Sequence, residues 1–98
     1  MERPGAPDVL HVVEREAGPP APDEALVRQA VVGVNYIDVQ HRTGRYPLPA
    51  YPAVLGMEAC GIVEALGTGV EELRIGDRVA YASPPPGAYA ERRCMPAD

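Results

Sequence analysis

Residues 24–44 read EALVRQAVVGVNYIDVQHRTG, and this stretch decides the fold because a strand pattern changes to a helix pattern within it. Its first half, Glu24 to Val34, is rich in valine together with leucine. β-branched side chains favour a pleated strand over a helix. The sequence therefore predicts one long strand of about ten residues here.

A short helix is predicted directly after this strand. Asn35 is a good helix N-cap, and Asp38 occupies the N3 position of a capping-box-like pair, where a carboxylate also favours the helix dipole. Gly44 suits the C′ position, at which many helices end in a left-handed backbone conformation. These signals place the helix at Tyr36 to Thr43 and give Asp38 a mainly structural role.

Glycine and proline divide the rest of the chain into short β-like segments. Alternating prolines in residues 46–52 exclude a helix and a central strand, so this segment is predicted to be an extended surface loop. Gly61, inside a strand, indicates a bulge or a close approach of two backbones. The other predicted strands are Val9 to Glu14, Gly56 to Leu66, Arg78 to Ala82 and Ala88 to Met95.

This set of short strands, turns and one helix is typical of a mainly β domain, a small and partly open β-barrel. A chain of 98 residues has room for one such domain, residues 1–98. A parallel α/β fold would need helices alternating with the strands, and the sequence predicts a single helix.

Charge and cysteine content narrow the class of protein. Nine basic and fourteen acidic residues give a formal net charge of −5, which argues against nucleic acid and anionic membranes as partners. No apolar stretch approaches the roughly 18 residues of a membrane span, and no secretory signal is recognisable, so the expected location is cytoplasmic. Cys60 and Cys94 lack metal-ligand spacing; a disulfide between them is conceivable, but two buried free thiols are the preferred prediction.

The sequence gives little support to hydrolase or phosphate-loop chemistry. Residues 67–69, Gly-Thr-Gly, precede acidic residues rather than a helix N-terminus, which predicts a plain turn. Ser83 is followed by prolines, so no nucleophile elbow can be built around it. His11 in a strand and His41 in the helix are each more typical of surface or satisfied residues than of ligands.

Five short motifs follow one another along the chain: GVNYID at 33–38, RTG at 42–44, GMEACG at 56–61, GDRV at 76–79 and GAYAE at 87–91. This succession resembles the catalytic, GroES-like domain of the medium-chain dehydrogenase/reductase superfamily. It is most similar to the zinc-independent, zeta-crystallin-like NADPH:quinone oxidoreductase branch. The resemblance covers nearly the whole chain and implies a partly open GroES-like β-barrel.

The resemblance also implies that no metal is bound. Zinc-dependent members carry a Cys-His pair where this chain has Asn35-Tyr36, and a Gly-His-Glu where it has Gly56-Met57-Glu58. Zinc prefers thiolate, imidazole and carboxylate donors, so the Asn35 amide and the Met57 thioether are poor replacements. Residues 82–87 stand where the four-cysteine structural lobe of those enzymes is expected.

By resemblance, the implied reaction is NADPH-dependent reduction of a quinone or similar electron-poor carbonyl compound by hydride transfer. The family's motif Asn, which lies at the nicotinamide and substrate pocket, maps onto Asn35, and a pocket-lining Tyr maps onto Tyr46. Gln40 lies in the segment that touches the cofactor, where many members have Tyr. NADPH would be bound mainly by a Rossmann domain that this chain lacks, so the isolated chain is expected to be inactive and the full-length protein a homodimer.

Two further functions stay open at this point. An enoyl-reductase module of a polyketide synthase shares the G-V-N motif, and it would act on an enone. A non-enzymatic GroES-like β-barrel scaffold or co-chaperonin ring subunit would need a mobile loop with an exposed apolar tripeptide.

Of the charged residues, Glu58 could pair with an arginine, and Arg42, Arg45, Arg92 and Arg93 are expected to be solvated rather than to bind a 2′-phosphate.

Overall fold

The computed structural model describes residues 1–97 and consists of one antiparallel sheet and one α-helix. Within those residues the sheet has the order β3-β2-β1-β4 and is open rather than closed into a barrel. The prediction of a mainly β, partly open fold with one short helix is confirmed. The elements are β1 (Glu24–Gly33), α1 (Tyr36–Thr43), β2 (Glu58–Leu66), β3 (Arg78–Ala82) and β4 (Arg92–Pro96), with a single 3₁₀ turn at Pro7–Val9.

β1 is the central strand because it pairs along one edge with β2 and along the other with β4. Its first half alternates, so that Ala25 and Val27 point into the core. Val63 of β2 lies opposite Val27, and both side chains are almost fully buried. This small aliphatic core is what a chain without Phe or Trp can build, and partly buried residues close it: Leu66, Leu73, Val79, Met95 and Ala97.

The two long strands approach each other unusually closely at Gly61. The register between β1 and β2 shifts between Gln29 and Val31, where β1 contains an extra residue. A Cβ atom added to Gly61 would lie 2.2 Å from the Arg28 carbonyl oxygen, so a side chain cannot be accommodated without moving a backbone. This confirms the close approach that the sequence predicts at Gly61.

The helix is bounded where its capping residues predict. The backbone N–H of Asn35 donates to Asp38 Oδ2 at 3.0 Å, which is one half of a capping box. At the other end Gly44 has φ +86°, and its N–H donates to the His41 carbonyl. The eight-residue α1 is far too short to span a bilayer, and the described residues contain no longer helix that could.

The prediction of a strand at Val9 to Glu14 is wrong. Pro7–Val9 forms a 3₁₀ turn that buries Val9, and residues 10–17 form neither helix nor strand among the described residues. His11 is therefore exposed coil. The valine-rich pattern supplies a preference for extended backbone, but a strand also needs a partner for its hydrogen bonds.

The predicted starts of β2 and β4 are each too early. Gly56 has φ +104°, which takes it out of the strand conformation, and β2 begins at Glu58. Residues 87–89 donate their backbone N–H groups to the carbonyls of Leu55 and Gly56 rather than to β1, and β4 begins at Arg92.

Both cysteines are free thiols, but the prediction that they are buried is wrong for Cys60, which is exposed on β2. Cys94 is half-buried, and its thiol donates to the Ala17 carbonyl at 2.9 Å. Burial and then the nearby Glu24 charge raise the pKa of this thiol, so it is held in its protonated form.

Gly61→Ala should destabilise the chain by about 2 kcal/mol or more, because the new methyl group overlaps the Arg28 carbonyl. Gly18→Ala is the matched control, since a Cβ there meets nothing closer than Leu26 Cδ2 at 3.7 Å. It should change stability by less than about 0.5 kcal/mol. Urea unfolding of both variants measures the difference, and equal stabilities would contradict the close approach.

Candidate functional site

Asn35, the first predicted site residue, is the N-cap of α1 and lies two residues beyond the end of β1. Its backbone is extended, with φ −130° and ψ 158°, and its side chain is half-buried. Asp38 donates its backbone N–H to the Asn35 carbonyl at 3.0 Å, and its carboxylate accepts the Asn35 N–H. Asn35 is therefore held through its backbone at the junction of the sheet and the helix.

Asp38 also forms the shortest side-chain hydrogen bond of the site. The Tyr89 hydroxyl donates to Asp38 Oδ2 at 2.5 Å, and the Asp38 side chain is 3% exposed. Burial, followed by the hydrogen bond to the Asp38 carboxylate and its charge, raises the pKa of Tyr89 well above its ordinary range. The predicted structural role of Asp38 thus extends beyond the helix to the segment before β4.

Tyr89 was missed as a site residue, although it lies in the GAYAE motif. Its segment is fixed by three backbone hydrogen bonds, because Tyr89 donates to Leu55 while Gly87 and Ala88 both donate to Gly56. A Cβ atom at Gly56 would lie 2.6 Å from Tyr89 Cδ1, so the aromatic ring packs directly on that glycine. The contact between Gly56 of one motif and Tyr89 of another becomes visible only in the folded structure, so the sequence alone did not indicate that Tyr89 belongs to the site.

Gln40 and Tyr46 lie together near the other end of α1. The Tyr46 backbone N–H donates to the Gln40 carbonyl at 3.2 Å, which turns the proline-rich loop back onto the helix. Leu48 anchors this loop in the interior at 8% exposure, while the Tyr46 side chain is 51% exposed. Gln40 is half-buried and stands about 7.5 Å along the helix axis from Asn35.

The expectation that Arg93 is solvated is wrong. Its side chain is 8% exposed and donates to the carbonyls of Pro85 at 3.0 Å and Pro86 at 3.4 Å. The guanidinium also lies over the Tyr81 ring, 5.4 Å from its centroid, and donates to the Tyr81 hydroxyl at 3.3 Å. Arg93 therefore fixes the triple-proline turn that leads into Tyr89.

The other charged candidates have structural contacts. Arg42 is half-buried and donates to the Gly5 carbonyl at 3.0 Å, whereas Arg45 and Arg92 are exposed as expected. Glu64 bridges the sheet surface through ion pairs with Arg28 and Arg92. Glu58 has no arginine partner among the described residues, and its carboxylate lies against Gly33, where a Cβ atom would overlap it.

The described residues form no metal-binding cluster at the positions where zinc-dependent members of the superfamily carry their ligands. Asn35 and Met57 are both half-buried, and neither an amide nor a thioether is a preferred zinc donor. Within residues 1–97 no group of three or more His, Cys, Asp or Glu side chains is placed to hold a metal ion. His41 is 9% exposed on α1, with its Nδ1 atom unpaired among those residues.

Tyr89→Phe should reduce stability by about 1–2 kcal/mol below pH 10, because the buried Asp38 carboxylate loses a donor. The pKa of Tyr89 is higher in the folded state, so this contribution is fully present below the ordinary tyrosine pKa of about 10 and is lost as the pH rises above it. Urea unfolding of parent and variant between pH 8 and pH 11 measures the difference in their free energies of unfolding, which should become smaller above about pH 10.

Tyr36→Phe is the control for this measurement, because Tyr36 is 73% exposed. The difference in free energy of unfolding between Tyr36→Phe and the parent should stay constant from pH 8 to pH 11. A Tyr89→Phe difference that stays constant from pH 8 to pH 11 would contradict the raised pKa of Tyr89.

Comparison with known proteins gives a consistent picture. The chain matches the family model of the alcohol dehydrogenase GroES-like domain over residues 21–98. It is 46% identical to a quinone oxidoreductase of Salmonella typhimurium, a match that covers 96% of this chain and 29% of that protein. The crystal structure of Escherichia coli quinone oxidoreductase complexed with NADPH has a TM-score of 0.95 at 41% identity, covering 99% of this chain and 30% of that one. A 2-haloacrylate reductase structure has a TM-score of 0.87 at 38% identity, covering 98% of this chain and 28% of that one.

These matches confirm the resemblance that the motifs indicate. The chain spans about 30% of the length of the relatives it matches. Four of the five motifs lie beyond residue 40 and all five lie inside the matched residues 21–98. The chain therefore belongs to the alcohol dehydrogenase GroES-like domain family, and it is similar to the quinone oxidoreductases of the medium-chain dehydrogenase/reductase superfamily.

Proposed function

We propose that this chain is the substrate-side domain of a zinc-independent reductase that transfers a hydride from NADPH to a quinone or similar electron-poor carbonyl compound. One observation carries the proposal: its likeness, at a TM-score of 0.95, to a quinone oxidoreductase crystallised with NADPH. At the corresponding sequence motif this chain presents Asn35 at the junction of β1 and α1, with Tyr46 exposed near the other end of that helix.

The residues of this chain fit the nicotinamide end of the cofactor and not its pyrophosphate. A nicotinamide carboxamide needs one donor and one acceptor, which a half-buried amide such as Asn35 or Gln40 can supply. A pyrophosphate needs free backbone N–H groups at a helix N-terminus. The N-terminus of α1 already holds the Asp38 carboxylate, which accepts the Asn35 N–H and repels a second anion.

Each side chain then has a limited task. NADPH supplies the hydride, while Asn35 orients the nicotinamide ring and Gln40 offers a second amide contact. The Tyr46 ring forms one wall for a flat acceptor, and its hydroxyl can donate to the acceptor oxygen as negative charge develops there. Orientation of two bound partners is itself a large part of the rate enhancement for hydride transfer.

An electron-poor alkene is the second candidate substrate. The 38% identity to a 2-haloacrylate reductase of Burkholderia favours it, because that name implies reduction of an acrylate. Side-by-side assays with a benzoquinone and with an acrylate or enone distinguish the two classes, and the enone arm also covers an enoyl-reductase role. The scaffold alternative is less well supported, since Leu48 is buried and the loop around it is tied to Gln40.

We expect the isolated chain to bind NADPH only weakly, with a Kd on the order of millimolar or weaker, and to show no detectable turnover. Activity should appear when the chain is joined to the part of Escherichia coli quinone oxidoreductase that follows the matched region. In this joined protein, Asn35→Ala should lower kcat/KM for quinone reduction by about tenfold or more through lost orientation. The absorbance change on NADPH oxidation measures the turnover of the isolated chain and kcat/KM of the joined protein.

Asn35→Ser is the matched variant, because serine keeps a helix N-cap while removing the carboxamide. It should lose as much activity as Asn35→Ala while retaining more stability. Full activity of Asn35→Ser would show that Asn35 serves only as a helix cap. Robust turnover by the isolated chain would contradict the proposal that NADPH is bound mainly by another domain.

Elemental analysis of the purified chain should find no stoichiometric zinc, because Asn35 and Met57 supply an amide and a thioether where zinc enzymes of the superfamily have ligands. Dialysis against a chelator should leave the activity of the joined protein unchanged. Near-stoichiometric zinc that survives this dialysis would overturn the zinc-independent assignment.

A further inference from the structure

The Asp38–Tyr89 pair joins a buried carboxylate to a half-buried tyrosine, and the proposed reaction gives this contact no task. One carboxylate oxygen, Asp38 Oδ2, accepts both the Asn35 N–H at 3.0 Å and the Tyr89 hydroxyl at 2.5 Å. The other oxygen, Oδ1, is buried and has no hydrogen-bond partner among residues 1–97. The carboxylate is therefore held in one orientation by its two donors alone.

Tyr89 is a rigid donor because its own position is determined on three sides. Its N–H donates to the Leu55 carbonyl at 2.9 Å, and its ring packs on Gly56, whose φ of +104° and lack of a side chain make that contact possible. The turn before it is held by the buried Arg93 guanidinium through the carbonyls of Pro85 and Pro86. The hydroxyl of Tyr89 is thus positioned at the start of α1 by contacts with the segments that precede β2 and β4.

Asn35 has fewer constraints of its own. It lies in extended backbone between the end of β1 and the first turn of α1. The hydrogen bond from its N–H to Asp38 Oδ2 restrains the backbone at that point, and this backbone carries the side-chain amide. If Asp38 rotated away, the Asn35 backbone would lose this restraint, and the amide that it carries would be held less firmly.

We infer that Tyr89 is a positioning residue, which acts through the Asp38 carboxylate to fix the direction of the Asn35 amide toward the nicotinamide. This inference rests on the proposed function, in which that amide orients the cofactor ring. A displacement of about 1 Å in a reacting geometry can cost on the order of a hundredfold in rate. The series of contacts from Arg93 through Tyr89 and Asp38 to Asn35 suppresses such a displacement.

The first arm of the test is structural and needs no cofactor. Amide hydrogen exchange by NMR on the 98-residue chain should show the Asn35 N–H exchanging about tenfold faster or more in Tyr89→Phe than in the parent. Tyr36→Phe, which removes an exposed hydroxyl next to Asn35, should leave that rate unchanged. An unchanged rate in Tyr89→Phe overturns the inference whatever the activity.

The second arm is a double-mutant cycle in the joined protein. Tyr89→Phe should lower kcat by about tenfold and leave KM for NADPH within about twofold, because most cofactor contacts lie in the nucleotide domain. In an Asn35→Ala background the same change should have no further effect on kcat, since the group that Tyr89 positions is already gone. Losses that multiply would show that Tyr89 acts independently of Asn35 and would overturn the inference.

Asp38→Asn provides a second variant in case Tyr89→Phe does not fold. It keeps an acceptor oxygen but loses the charge, so it should speed Asn35 exchange and show the same non-additivity with Asn35→Ala. Failure of the proposed function is a separate outcome: a joined parent protein without NADPH turnover would refute that proposal, while Asn35 exchange would still decide whether Tyr89 fixes Asn35.

Discussion

The pairing of β1 with strands on both of its edges is the constraint on which the rest of the structure depends. β1 contributes two of the three residues at the centre of the core, Ala25 and Val27, and its neighbours pack against them. With no Phe or Trp available, close backbone approach replaces side-chain bulk, as where Gly61 of β2 lies against the Arg28 backbone of β1. The position of Asn35, two residues beyond β1, follows from that strand.

The polar interior follows a consistent physical pattern. Asp38 and Arg93 are both more than nine-tenths buried, yet they do not pair with each other in the contacts of residues 1–97. Each is bonded by neutral groups: a tyrosine hydroxyl and a backbone N–H donate to one oxygen of the carboxylate, while proline carbonyls and a tyrosine hydroxyl accept from the guanidinium. Burying a charge without such donors or acceptors would be strongly unfavourable. These contacts join the start of α1 to residues 81–93, which are distant from it in sequence.

The proposed division of chemistry between this domain and the rest of the longer relatives is consistent with these contacts. The start of α1 is occupied by a carboxylate of the chain itself, so it is unsuited to a phosphate. The groups available to a ligand are amides and a hydroxyl, which suit a neutral ring with polar substituents. That chemistry is compatible with the substrate side of a nicotinamide-dependent reductase and with a chain that covers about 30% of such enzymes.

The sequence by itself determined the features that depend on neighbouring residues. The bounds of α1, the long β1, the short β3 and the close approach at Gly61 all follow from local caps, β-branched content and glycine. The motifs also identified the family. Capping, turns and side-chain crowding act over a few residues, so the sequence pattern is sufficient to predict them.

Tertiary structure decided every feature that needs a distant partner. Residues 10–14 have the composition of a strand but find no partner strand within residues 1–97, and residues 88–91 do not join β4 because part of that segment bonds to Leu55 and Gly56. The bond between Tyr89 and Asp38 joins residues that are far apart in the sequence, and the burial of Arg93 depends on how the triple-proline turn folds back onto it. A hydrogen bond across fifty residues leaves no periodicity or cap in the sequence, because its two ends come together only when the sheet has formed.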